Sequence, residues 1–194
     1  MGEKAEPPLT VYTIGHSTWT VEQLVELLKA YRVSTLVDVR TVPRSRHTPQ
    51  FNRETLPETL KEAGTGYAHM SGLGGLRRAR PDSINTGWRN ASFRGYADYM
   101  LTRKFEESLD QLIELAGKEQ IAIMCAEAVS WRCHRSLIAD ALTARGIRVR
   151  HIMSLSRADE HELTPFARVD GARITYPAPE EQPNLPGVSA PDKE

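Results

Sequence analysis

A mainly parallel α/β sheet of about five strands, with helices on both faces, is the fold this sequence predicts. Short β-rich runs alternate five times with segments of helical period. Parallel neighbours need a crossover between them, and the intervening helices supply it, right-handed each time. The most apolar run, IAIMCA (121–126), lacks polar alternation, as a central strand buried on both faces does.

The elements follow in order. LTVYTI (9–14) is a strand ended by Gly15, and Ser17 or Thr18 caps the helix of VEQLVELLKAYR, with Val21, Leu24, Val25, Leu28 and Tyr31 on one face. STLVDVR (34–40) is the second strand. Residues 53–63 form a helix with Leu56 and Leu60 inward and Pro57 in its first turn, and GYAHM (66–70) is a short third strand. A loop of some 25 residues rich in Gly, Arg and Asn follows. Helix resumes from Tyr96 to Ala116, with a break near Arg103; after the 121–126 strand, CHRSLIADALTARG is a helix closed by Gly146, and RVRHIM (148–153) is the last strand.

The 194 residues, 40% of them apolar, suffice for one core of ordinary domain size, which excludes wholesale disorder, collagen and a disulfide-stapled miniprotein. Residues 1–9 read as a flexible lead-in, 10–155 as a single domain, and 156–194 as a proline-rich tail, partly packed or disordered. No apolar run approaches the roughly 18–20 residues of a membrane span, and MGEKAEPP resembles no signal peptide. A cytoplasmic protein with no membrane partner is expected, its two cysteines free thiols.

Charge is unevenly spread. Residues 40–95 hold ten basic and four acidic residues, a balance of +6, so the remainder carries −6. Nine of those ten bases are arginine, whose planar fork suits phosphate and carboxylate, and an anionic partner is expected.

In parallel sheets ligands sit outside the carboxyl ends of the strands. Those ends carry Gly15, His16 and Ser17; Asp38 and Arg40; His69 and Met70; Cys125 and Glu127; and His151. His16 is placed to act as base, phosphate donor or metal ligand. Asp38 and Arg40, two apart on a strand, project from one face, so that one orients the other or both meet the same ligand. The following loop adds Arg44, Ser45 and Arg46, and Gly74 and Gly75 free backbone to meet an anion. Cys133, His134, Arg135 and Ser136 open a helix, where free N–H groups and neighbouring arginines favour an anion or a thiolate. Cys133 is therefore expected to be the more reactive cysteine.

Some motifs are absent. There is no GxxxxGKS phosphate loop, and the Cys-x5-Arg spacing of thiol phosphatases fails because Trp131 stands six beyond Cys125. Cys125, Cys133 and His134 with His16 or Glu127 could gather around a metal, but the cysteines are eight apart without a second Cys-x2-Cys pair. No metal ligand set is assigned, and the cofactor stays unknown.

TIGHS, LVDVR followed by P-R-S, the LGG loop, FRGYADYM, MCAE and CHR before a helix, in that order, together resemble the family catalogued as domain of unknown function 488, from about Thr13 to His151. The resemblance implies no activity. It implies that the matching positions His16, Ser17, Asp38, Arg40, Pro43, Ser45, Gly74, Gly75, Cys125, Glu127, Cys133, His134 and Arg135 form the functional set.

Three functions compete. The first is recognition of a phosphate-bearing ligand, a nucleotide or nucleic acid, with possible hydrolytic or transfer chemistry. Here Ser17, Arg40, Arg44, Ser45, Gly74, Gly75, His134 and Arg135 bind, and His16, Asp38, Cys125, Glu127 and Cys133 supply the chemistry. The second is cysteine-dependent group or sulfur transfer: LVDVR and a strand-end cysteine are partly similar to rhodanese-like sulfurtransferases, though CAEAVSWRC has no glycine for a tight donor loop. The third is a non-enzymatic nucleic-acid-binding module. An enzyme is left undecided, as are protein partners.

Overall fold

Five parallel strands and one antiparallel edge strand form the sheet, in the order β3-β2-β4-β1-β5-β6. The computed structural model describes residues 9–178; residues 1–8 and 179–194, on which most of the expected lead-in and the end of the proline-rich tail fall, lie outside the described residues. The strands are β1 (Thr10–Gly15), β2 (Thr35–Asp38), β3 (Gly66–His69), β4 (Ile121–Cys125), β5 (Arg148–Ile152) and β6 (Ala158–Glu160). The helices are α1 (Val21–Ala30), α2 (Leu56–Glu62), α3 (Ala91–Met100), α4 (Arg103–Ala116) and α5 (Arg135–Thr143).

The strand order explains which helix covers which face. The chain runs outward from β1 to β2 to β3, then reverses to insert β4 between β2 and β1 and crosses on to β5. With right-handed crossovers, reversing the direction of travel moves the helices to the other face. Accordingly α1 and α2 bury Leu24, Leu28, Leu56 and Leu60 against Ile14, Leu36, Ala122 and Met124. On the opposite face α3, α4 and α5 bury Tyr96, Phe105, Leu109, Leu137 and Ile138 against Val11, Val37, Ile121 and Ile123. Along each strand alternate residues enter alternate cores. The reversal also splays the connections leaving β4 from those leaving β1 and β2, opening a crevice at the carboxyl end of β4.

Several local details differ from expectation. The cap of α1 is Thr20, in a reciprocal capping box with Gln23, rather than Ser17 or Thr18. Ser17 instead adopts a left-handed turn (φ 44°) that carries the chain away from β1. Helix α3 begins five residues before Tyr96 because Asn90 accepts from the N–H groups of Ser92 and Phe93, and the break falls at Thr102, the cap of α4. RVRHIM is not the last strand: β6 pairs antiparallel with β5, and β7 (Arg168–Asp170) and β8 (Arg173–Thr175) form a separate hairpin. Behind it Ile174 and Tyr176 are buried.

The long loop before α3 is anchored. The buried Asp98 carboxylate accepts from the Arg80 N–H, Ser83 Oγ and Asn85 Nδ2. Tyr96 and Tyr99 donate to the carbonyls of Leu73 and Gly72, and the Arg77 guanidinium lies 3.7 Å over the Tyr99 ring. No described helix is long and apolar enough to cross a membrane.

Candidate functional site

Cys125 ends β4, the chain makes one 3-10 turn over residues 130–132, and Cys133 and His134 then lead into α5. The turn is closed by the Cys133 N–H on the Ser130 carbonyl, and the helix begins with Ser136 and Leu137 donating to the carbonyls of Cys133 and His134. The N–H of Arg135 faces the Cys133 sulfur. His134 is oriented through its outer nitrogen: Nε2–H donates to the Val39 carbonyl at 3.1 Å, which turns Nδ1 towards Cys133 Sγ, 3.6 Å away.

The two thiols adjoin, their sulfurs within 4.8 Å of each other, and their acidities move apart. The Cys125 thiol beside it, then the Arg135 charge and N–H, push Cys133 down to about 6 against the cost of burial. Cys125 is pushed up to about 12, by the neighbouring Cys133 thiol and by burial. The pair thus releases one proton readily and holds the second. The anion belongs on Cys133, because the helix start and the guanidinium face that sulfur, whereas Cys125 hangs from a buried strand.

Both sulfurs line a cavity of about 370 Å³ together with Arg40, Thr41, Gly75, Glu127, Arg132 and His134. Val42 and Leu76, both largely exposed, also border it, and Phe93 and Tyr96 of α3 form an apolar wall.

A second cluster lies across the sheet, on the α1 and α2 face. Asp38 and Arg40, both buried, make a bidentate pair: Arg40 Nε donates to Oδ1 at 2.9 Å and Nη2 to Oδ2 at 2.6 Å. Nη2 also donates to the Phe51 carbonyl at 2.6 Å, and Tyr67 OH to Asp38 Oδ2 at 2.8 Å. The His16 ring stacks on Phe51 with centroids 4.1 Å apart. Its Nδ1–H donates to the Ser17 carbonyl, which leaves Nε2 to accept from Arg40 Nη1 at 3.4 Å. Burial, then the Arg40 charge, lowers His16 to about 4, so this imidazole is neutral at pH 7.

The family model for a domain of unknown function, DUF488, matches residues 20–142. The chain belongs to the DUF488 family. No curated protein and no solved structure matches the chain.

Within this DUF488 chain the expected residues divide. Arg40, Gly75, Cys125, Glu127, Cys133 and His134 share the cavity. The carboxylate group of Asp38 and the ring of His16 stand behind Arg40 on the other face and support it. Gly74 is a structural approach point, since a Cβ there would stand 2.6 Å from Thr41 Oγ1. Ser45 Oγ accepts from the N–H groups of His47 and Thr48, shaping its own loop, and Arg44 is exposed beside it; neither lines the cavity. Gly15 gives the closest approach of all: a Cβ would lie 1.8 Å from the Glu127 carbonyl oxygen. That carbonyl, not the exposed Glu127 side chain, accepts from Arg135 Nη2 at 2.7 Å.

Arg135 is almost fully buried and heads a chain of hydrogen bonds. Nη1 donates to Thr13 Oγ1 at 3.1 Å, Thr13 Oγ1 is bonded to His151 Nδ1 at 2.7 Å, His151 Nε2 to His161 Nδ1 at 3.0 Å, and His161 Nε2 donates to Asp140 Oδ1 at 2.8 Å. A guanidinium only donates and a carboxylate only accepts, so the two ends are directed, Arg135 onto Thr13 and His161 Nε2 onto Asp140, while the links at His151 turn with the protonation of His161. Arg135 and the fully buried Asp140 are therefore charge partners through a relay. Burial first, then the His161 and Arg135 charges, lower His151 to about 4.

The sequence reading missed Thr13, Thr41, Ser92, Tyr96, Asp140 and His161. Phe93 and Tyr96 lay within FRGYADYM, one of the motifs carrying the family resemblance. Asp140 and His161 gave no signal, because they meet only when β6 pairs with β5.

Proposed function

We propose that this protein carries out cysteine-dependent group transfer, with Cys133 as nucleophile and His134 as the proton acceptor. The observation that carries the reading is the Cys133 sulfur at the start of α5, on the wall of the cavity, facing the Arg135 N–H and lying within 4.8 Å of the Cys125 sulfur. A helix start can hold one anion, and here it holds the protein's own sulfur. His134 Nδ1 stands within reach of the thiol proton. The thiolate attacks the electrophilic atom of a donor, the bond to the leaving group breaks, and the proton on His134 is returned to that group.

The anion-recognition reading is recast by the same contacts. Arg40 is neutralised by Asp38, and the Arg135 nitrogens Nη1 and Nη2 are engaged by Thr13 and Glu127. Arg132, exposed on the cavity wall, is the cation a negatively charged donor would meet, and exposed Val42 and Leu76 suit an apolar portion of it. Nucleotide or nucleic-acid binding would rest on exposed loop arginines such as Arg44 and Arg78. If it occurs, it weakens steeply with salt and is reduced by Arg44→Ala or Arg78→Ala.

The test is mass analysis of the intact protein after exposure to sulfane-sulfur, acyl and phosphoryl donors. One transferred group on Cys133, absent in Cys133→Ser and passed on to an added acceptor, supports transfer. No adduct with any donor class, or adduct formation that survives Cys133→Ser, overturns it.

A further inference from the structure

Beyond the transfer reading, and independent of it, we propose that Cys125, Cys133 and His134 form a three-ligand zinc site whose fourth position opens into the cavity. Their three ligand atoms all lie within 4.8 Å of one another. The Cys133 Sγ to His134 Nδ1 separation is 3.6 Å. A tetrahedral ion with zinc–sulfur bonds of about 2.3 Å and a zinc–nitrogen bond of about 2.05 Å requires its sulfur and nitrogen ligands to be about 3.6 Å apart, and its two sulfurs about 3.8 Å. The protein therefore holds one ligand pair at the bonded spacing.

The surroundings support the same assignment. A ligating histidine generally donates its other N–H to a carbonyl or carboxylate, which fixes the tautomer and aims the ring. His134 does this through Nε2 to Val39, leaving Nδ1 on the side of the sulfurs. The Arg135 N–H on Cys133 is the kind of outer hydrogen bond that steadies a bound thiolate. Two sulfurs and an imidazole select zinc or another thiophilic ion over magnesium or calcium, which take oxygen ligands. The spacing Cys-x7-Cys-His escapes motif reading because one ligand comes from a strand end and two from a helix start. Three protein ligands beside a cavity of about 370 Å³ leave a coordination position for water or a small donor molecule.

Zinc and an electrophile would compete for the same sulfur. A bound ion therefore withdraws Cys133 from alkylation and, where transfer occurs, silences it.

The experiment uses the full chain, stripped with a chelator and titrated with Co²⁺ and then Zn²⁺, followed by absorption and calorimetry. One Co²⁺ per chain is expected, with the intense visible bands of a tetrahedral site and a sulfur-to-metal charge-transfer band, displaced by one Zn²⁺. Cys125→Ala and Cys133→Ser should each weaken binding by at least about 100-fold, above the roughly 10–100-fold cost of losing an outer contact. His134→Gln should weaken it too and remove the tetrahedral bands. A second readout covers variants that fold poorly: stoichiometric Zn²⁺ should protect Cys133 from iodoacetamide in the wild type, and this protection should vanish in His134→Gln. Absent tetrahedral bands, or Zn²⁺ affinity unchanged by Cys125→Ala, would overturn the site. The alkylation rate of the metal-free protein reports on the nucleophile separately, so the two readings can fail apart.

Discussion

Replacing Cys125 by alanine removes the largest cause of the lowered pKa of Cys133 and should move its titration midpoint upward from about 6. At neutral pH the rate is a poor witness. Relative to an ordinary thiol near 8.5, a midpoint of 6 raises the thiolate fraction at pH 7 only from about 3% to about 90%. The same shift lowers intrinsic nucleophilicity by roughly 10- to 18-fold for a Brønsted slope of 0.4–0.5, leaving a net gain of about two- to threefold. At pH 5.5 the fractions are about 24% and about 0.1%, so the net advantage of Cys133 grows to roughly 13- to 24-fold. The assay is timed iodoacetamide labelling from pH 5 to 9 with peptide mass readout for each cysteine. In wild type Cys133 should react first, with a midpoint near 6, and in Cys125→Ala the midpoint should rise. A wild-type midpoint near 8.5, or one that Cys125→Ala leaves in place, would refute the coupling of the two thiols.

Three further outcomes follow from the geometry. His16 and His151 sit at about 4 when folded against 6.5 when unfolded, so the unfolded chain binds more protons between those values and stability is lost as pH falls through that window. Urea unfolding at pH 4.5 should show a loss of about 2–3 kcal/mol for each histidine relative to pH 7, and His151→Gln should flatten the slope; an unchanged slope would show that His151 is not buried neutral. Asp38→Asn leaves the Arg40 charge buried without its partner and should cost about 3–5 kcal/mol by urea denaturation, and a cost under about 1 kcal/mol would show that the pair is not held as a buried ion pair. Gly15→Ala places a methyl 1.8 Å from the Glu127 carbonyl and should cost about 2–3 kcal/mol or more, whereas a change under about 0.5 kcal/mol would mean that the loop simply moves aside.

Local periodicity carried most of the elements. The helices around Leu24, Leu56 and Leu137 and the strands through Leu36 and Ile123 are written in spacings of two and of three to four residues, which neighbouring side chains enforce before any distant contact forms. The partnership of Asp38 with Arg40 was legible for the same reason, as was the setting of Cys133 at a helix start. Strand order is a different kind of information. It depends on which faces find cover and which crossovers close with the right hand, so nothing near Cys125 announces that β4 will insert between β1 and β2. That insertion brings the Glu127 carbonyl against Gly15, whereas Cys125 meets Cys133 through the local turn from β4 into α5, and strand alternation puts His16 and Asp38 on the opposite face. The link from Arg135 to Asp140 was equally invisible, because it crosses from α5 through β1 and β5 to the chain beyond β6. Arg135 and Asp140 stand five residues apart on α5, and the sheet links them only by placing Thr13, His151 and His161 between their side chains.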